Sequence, residues 1–169
     1  MKKLMSFLDN GGLIVAWGES TELFSGKLEI PRGDKQEEFH LPFRLEDNIY
    51  SAGLYVPGSL MKVHITLNHP LTQGMPETAG IYFSNSKVFS TSVPGFDMDR
   101  RVIAKFPEKD ILLSGYEENE ELLGNRSAMI WLRKGKGQLV LFGFNPQFRA
   151  STQASYKLMF NALLLQKIN

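Results

Sequence analysis

The chain contains no cysteine. That excludes a disulfide scaffold, a thiolate metal site and a cysteine nucleophile, while fitting any redox compartment. Neither sign of charge dominates: 19 Lys and Arg against 18 Asp and Glu give a net charge of +1. There is thus no electrostatic case for nucleic acid or an anionic membrane as a partner. Long apolar runs are also missing. No stretch approaches the roughly 20 residues needed to span a bilayer. The opening Met1-Lys2-Lys3-Leu4-Met5-Ser6-Phe7-Leu8 has two lysines but no extended apolar segment behind them, so a secretory signal is not expected from it. Histidine is scarce, with three residues: His40, His64 and His69.

What is present describes one ordinary globular domain. The length is 169 residues, with 43% hydrophobic and 22% charged residues. No repeat or low-complexity linker divides it. Residues 2–9 carry Leu4, Met5, Phe7 and Leu8 in a pattern that predicts an amphipathic helix with those four on one side, stopped by Asn10-Gly11-Gly12. Leu13-Ile14-Val15-Ala16-Trp17 is continuously apolar, as expected of a strand buried on both faces of a parallel sheet. Ser20 or Thr21 is positioned to cap a short helix after it. Residues 25–58 have weak periodicity and read as an irregular excursion with one short helix.

Met61, Val63, Ile65 and Leu67 alternate with polar residues, predicting a half-buried strand whose polar face carries His64. Further strands are expected at 79–83, 87–91, 102–106 and 111–114. The acidic run 117–121 reads as a solvated loop or helix start. Strands 128–133 and 138–143 flank the hairpin signal Lys134-Gly135-Lys136-Gly137. A last helix over 152–166 is expected to place Tyr156, Met159, Phe160, Leu163 and Leu164 in the core. Trp17, Trp131, Phe142 and Phe144 are read as packed on the sheet.

The most informative stretch is Gly135–Arg149: a tight turn, a buried strand and a polar loop opening the final helix. In an open α/β sheet such a loop lies at the carboxyl end of a strand, where ligands gather. The candidate ligand-binding residues are Gly18, Glu19 and Ser20 after the first strand, and Asn145, Gln147 and Arg149 after the last. Asn145 and Gln147 suit a neutral ligand. Arg149 suits a carboxylate or phosphate, or a structural bond to a carboxylate of the fold.

Several blocks together resemble one family. They are LMSFLDNGGLIVAWGES, YVPGSLMKVHITLNHPLTQGMPE, DILLSGY, LLGNRSAMIWLRKGKG and GKGQLVLFGFNPQFRASTQASYKLMFNALL. In order and approximate spacing they are similar to the glutamine amidotransferase-like C-terminal domain of bacterial zinc carboxypeptidases of the M14 family. The resemblance is weakest over residues 25–50. It implies an α/β fold: a partial flavodoxin-like sheet of the class I amidotransferase kind, with an antiparallel section and a C-terminal helix. A doubly wound fold opens on a strand, whereas this chain opens on a helix. The expectation is therefore a single domain, 1–169, truncated at its N-terminal side. Its partners would be a peptidase domain or the missing N-terminal half of the same fold, with a homodimer as the other option. Export to the periplasm or outside the cell is what the family implies.

Neither parent chemistry is expected in this chain. The peptidase needs zinc on His and Glu with H-x-x-E spacing. The residues three beyond His40, His64 and His69 are Phe43, Leu67 and Thr72, so no metal site and no cofactor are expected here; zinc belongs to the peptidase domain. An active amidotransferase needs a Cys nucleophile and a His-Pro-Glu segment. The resembling segment here reads Asn145-Pro146-Gln147, and neither amide is a base near neutral pH. The leading expectation is a pseudoenzyme: a non-catalytic accessory domain with a structural or interaction role. The alternatives are a sugar- or peptide-binding module of the same fold, and a hydrolase using Ser20.

Overall fold

In the computed structural model, the backbone is described for residues 2–25, 27–32 and 35–165; for Lys2, residues 27–32 and residues 35–40 the backbone alone is described. Helix α1 (Lys2–Asp9) ends where Gly11 takes φ +86 and its N–H meets the Leu8 carbonyl at 2.9 Å, the left-handed stop that glycine adopts without cost. Strand β1 (Leu13–Trp17) follows, and then a 3-10 helix, Gly18–Phe24. Next come β2 (Lys27–Arg32), β3 (Lys35–His40), β4 (Phe43–Leu45), helix α2 (Asn48–Ser51), β5 (Ser59–Ile65), β6 (Thr78–Phe83) and β7 (Phe89–Thr91). The chain finishes with β8 (Met98–Lys105), β9 (Leu112–Ser114), β10 (Ser127–Lys134), β11 (Gly137–Phe142) and helix α3 (Gln153–Leu163).

The result is an α/β fold on a nine-stranded mixed sheet of order β1-β11-β10-β8-β5-β6, with β9 on β5 and β4 joined to β10 through β7. One pair, β1 with β11, is parallel, and the other pairs in this sheet are antiparallel. Strands β2 and β3 form a separate two-stranded hairpin. That hairpin and β4 replace the irregular excursion expected over 25–58; Lys35–His40 offers no apolar alternation from which a strand could be read.

Strand β11 is buried along its whole length and sits between β1 and β10. Its side chains alternate between two cores with the period of two that a strand imposes. Leu139 and Leu141 join Met5 and Leu8 of α1, Ala16, Ile130 and Leu132 on one face. Val140 and Phe142 join Trp131, Leu158 and Ala162 of α3, and the inner faces of β5 and β6 on the other. The Trp131 indole N–H is satisfied within this core by the Gln138 side-chain oxygen at 3.0 Å.

Backbone elements press directly on both ends of β11. A Cβ added to Gly137 would lie 1.9 Å from the Leu8 carbonyl oxygen, and one added to Gly143 would lie 1.9 Å from that of Lys87. Only glycine permits either approach.

The helix faces differ from expectation. In α1, Met5 and Leu8 are buried, whereas Leu4 and Phe7 are exposed at 38% and 53%. In α3 the buried line is Ser155, Leu158 and Ala162; Tyr156 and Met159 are half-buried, and Phe160, Leu163 and Leu164 face outward. Small residues decide this: the Ser155 hydroxyl donates to the Pro146 carbonyl at 2.7 Å, and Ala162 lets the helix axis approach the sheet. The part of the expected helix at residue 166 lies outside the described residues. Strand β1 is also not a central strand. It is the last of the sheet order among the described residues, Leu13, Ile14 and Val15 are half-buried, and Trp17 is exposed.

Gly143→Ala should lower stability by about 3 kcal/mol or prevent folding, because the added methyl meets backbone and not a movable side chain. Gly135→Ala, in the open turn at φ +55, should cost only about 1 kcal/mol. Urea denaturation midpoints of the two variants provide the comparison.

Candidate functional site

The parallel register Leu13↔Gln138 to Trp17↔Phe142 ends both strands at the same level. The turn that begins at Gly18 therefore stands beside the turn that begins at Gly143. This brings Gly18, Glu19 and Ser20 to the same sheet end as Asn145 and Gln147, at the carboxyl ends of two parallel strands.

Gly18 takes φ +55 between the last residue of β1 and the first turn of the 3-10 helix, and nothing lies within 4 Å of the place a Cβ would occupy. The chain turns sharply here from a strand into a helix, as it does where a nucleophile elbow presents a side chain above a sheet. Here that position carries no side chain.

Ser20 is committed locally. Its hydroxyl accepts from the Trp17 N–H at 3.1 Å and donates to the Trp17 carbonyl at 2.7 Å. The cap thus works from inside the helix back onto the strand, the reverse of the expected direction. Thr21 likewise donates to the Gly18 carbonyl at 2.7 Å.

In the second turn the Asn145 side-chain oxygen accepts from the Gln147 N–H at 3.3 Å. The Gln147 carbonyl accepts from the Tyr156 hydroxyl at 3.2 Å. The Gln147 side-chain oxygen is covered from solvent and has no hydrogen-bond partner among the described residues. Arg149 departs from the group. It and Ala150 both occupy left-handed backbone, at φ +46 and +55. The Arg149 guanidinium lies 5.4 Å from the centre of the Phe148 ring, and Phe148 stacks on Tyr82 of β6 at 4.1 Å, nearly coplanar. Arg149 is exposed and forms no bond to a carboxylate among the described residues, in contrast to the structural pairing open to it in the sequence.

Lys87 joins the two turns from a distant part of the chain. Its N–H donates to the Gly143 carbonyl at 2.8 Å. Its ammonium pairs with Glu22 and lies 3.7 Å from Asp47. The Glu22 carboxylate holds that ammonium above the usual lysine range against the effect of burial, and Asp47 and Glu19 add to the field. Sequence spacing offered no sign of this group, whose members come from three separate segments.

A second polar cluster lies on β4. Glu46 is 8% exposed, with Arg44 at 3.1 Å on one carboxylate oxygen and Arg126 at 3.2 Å on the other. Burial alone would raise its pKa, but hydrogen bonds from Ser90 and Arg44 and the charge of Arg126 win, leaving it below the usual carboxylate range.

The two histidines with described side chains, His64 and His69, have different surroundings. His64 is exposed on β5. His69 lies beside Trp131, at 5.0 Å between ring centres, and its Nδ1 accepts from the Leu71 N–H at 3.2 Å. Burial pushes His69 below the usual imidazole range, with Arg101 adding to the effect and Asp99 opposing it. The side chain of His40 lies outside the described residues. Among the described residues no three His, Asp or Glu side chains gather as metal ligands would. No helix among the described residues is long and apolar enough to cross a membrane.

No family model, curated protein or solved structure matches this chain.

Ser20→Ala should cost about 1 kcal/mol, read from a thermal or urea midpoint, because it frees both Trp17 backbone groups at once. Glu46→Gln should cost about 1–2 kcal/mol near neutral pH, the modest figure reflecting solvated Arg44. Glu46 has a depressed folded-state pKa, so its contribution is present above the unfolded carboxylate range and is lost as pH falls through the folded value. The gap between wild type and Glu46→Gln should therefore close in acid.

Proposed function

We propose that this chain is a non-catalytic, amidotransferase-like accessory domain of a carboxypeptidase-related protein of the M14 family, with a partial flavodoxin-like architecture and a structural or interaction role. The carboxypeptidase link rests on the sequence resemblance. Two features support loss of chemistry: glycine holds the elbow position at φ +55, and the segment after the neighbouring strand offers Asn145 and Gln147 where a base and its orienting carboxylate would be required. Ser20 cannot substitute while its hydroxyl serves both backbone groups of Trp17.

The observation that carries the interaction role is the edge of β1. Gly12 gives its carbonyl to Gln138 in β11, so by strand alternation Leu13 and Val15 turn their N–H and C=O groups the other way. Among the described residues those groups have no partner. An apolar strand with an open edge is a template for another strand. Leu4, Phe7 and Leu23, on the helices that precede and follow β1 in the chain, are also exposed. A peptidase domain, further strands of the same fold or a second copy would each satisfy it.

Two measurements test this reading. Light scattering over a range of concentrations should show self-association of the isolated chain, reduced by Val15→Pro, which removes an edge-facing N–H that β11 does not use. A monodisperse monomer at high concentration would count against the edge. The reading frame ahead of Met1 should encode a domain with an H-x-x-E segment; a different domain there would remove the carboxypeptidase link but leave the edge intact.

A second reading, a small-ligand module, is favoured by one observation, the covered and unpartnered side-chain oxygen of Gln147. A neutral donor such as a sugar hydroxyl would satisfy it. A library of sugars and dipeptides should then raise the melting temperature of wild type but not of Gln147→Leu.

A further inference from the structure

The large sheet divides at Ser127. This residue pairs with Phe89 of β7 and with Lys105 of β8, and the β10–β8 register slips between Ser127 and Met129. Such a bulge splays the strands and re-aims side chains. Between β7 and β8 a cleft of about 430 Å³ opens, lined by Ser90, Thr91, Lys105, Asn125, Arg126 and Ser127 over an apolar floor of Phe89 and Val102. A second depression continues from it across Ser90 and Thr91 to Arg44.

Glu46 fixes the two guanidinium groups of this region. Arg44 Nε donates to one carboxylate oxygen at 3.1 Å and to the Ser90 hydroxyl at 2.9 Å. Arg126 places one terminal nitrogen 3.2 Å from the other oxygen, while its Nε donates to the Leu122 carbonyl at 2.7 Å. Each guanidinium still has N–H groups beyond those the carboxylate and its neighbours take. Lys105 is exposed at the other wall and makes no ion pair among the described residues. Lys105 and Arg126 line the cleft and Arg44 lines the depression that shares Ser90 and Thr91 with it, so three cations stand around one buried carboxylate, a balance of two positive charges.

We propose that the cleft between β7 and β8 binds a phosphate dianion, either free or as the head of a small phosphate monoester. The charge balance matches a dianion better than a single carboxylate. The guanidiniums are braced before the ligand arrives, so little ordering is required on binding. The site is independent of the β1 edge and of the turns after β1 and β11, so the result bears on neither of those readings.

The experiment is an amide-resolved NMR titration of the full chain near neutral pH and low ionic strength. Inorganic phosphate, glycerol 2-phosphate and acetate are added separately at matched ionic strength. Phosphate should give saturable shifts confined to the amides of Ser90, Asn125 and Ser127, and acetate should bind about tenfold more weakly. Lys105→Met and Arg44→Met, both at exposed side chains, should each weaken phosphate about fivefold while the rest of the spectrum is retained. Glycerol 2-phosphate binding at least as tightly as phosphate would identify an esterified ligand, and weaker binding the free ion. Shifts scattered over surface lysines, acetate equal to phosphate, or wild-type affinity in the Lys105→Met and Arg44→Met double variant would overturn the proposal.

Discussion

Two glycines set the spacing of the fold. At Gly137 the end of α1 rests its Leu8 carbonyl on the start of β11; at Gly143 the Lys87 carbonyl rests on the other end. Neither contact leaves room for a methyl group. Between them β11 carries one residue of each pair into each core, so the distance of α1 from the sheet, the seating of the β6–β7 connection and the level at which β1 stops all follow from these approaches. A close-packed interior transmits such constraints because it has no slack to absorb them.

The polar groups at the carboxyl ends of β1 and β11 are mostly engaged with the fold itself. The Ser20 hydroxyl closes the end of β1, the Asn145 side chain closes its own turn, and Lys87 is held among carboxylates. Ser20 and Asn145 thereby hold backbone geometry at the two strand ends, and the Lys87 ammonium is taken up by Glu22. Polar capacity that is less fully used lies elsewhere, on the braced arginines beside Glu46 and on Lys105.

How much could be read from the sequence depended on whether one face was distinguishable from another. β11 was legible because its apolar run is bounded by Lys134-Gly135-Lys136-Gly137 and followed by Pro146, and β5 because Met61, Val63 and Ile65 alternate with polar residues. α3 carries apolar residues on two stripes of helical spacing, and only the tight seat at Ser155 and Ala162 selects between them. β1 looked central because its composition is that of a central strand; position in a sheet is a property of neighbours, not of composition. The end of β1 at Trp17 agrees with the apolar run that stops at Gly18, and β11 ends at Phe142, one residue short of the expected end at Gly143. Lys87, Glu46 and Arg126 were invisible because their partners lie far along the chain, and the stack of Phe148 on Tyr82, which draws Arg149 toward β6, joins segments that no local pattern connects.

The parallel ladder joins position 13 to position 138. No other pairing in the large sheet spans as much of the chain, and it cannot begin until the β10–β11 hairpin has left the ribosome. β1, made before β11, must wait as an unpaired apolar segment while the residues between the two strands are synthesised. Loop closure over that span is slow relative to a hairpin, so docking of the N-terminal segment comes late. During that interval its backbone groups are open to any other exposed strand nearby. For this protein, the order of synthesis and the openness of one strand are therefore a single problem of folding in the cell.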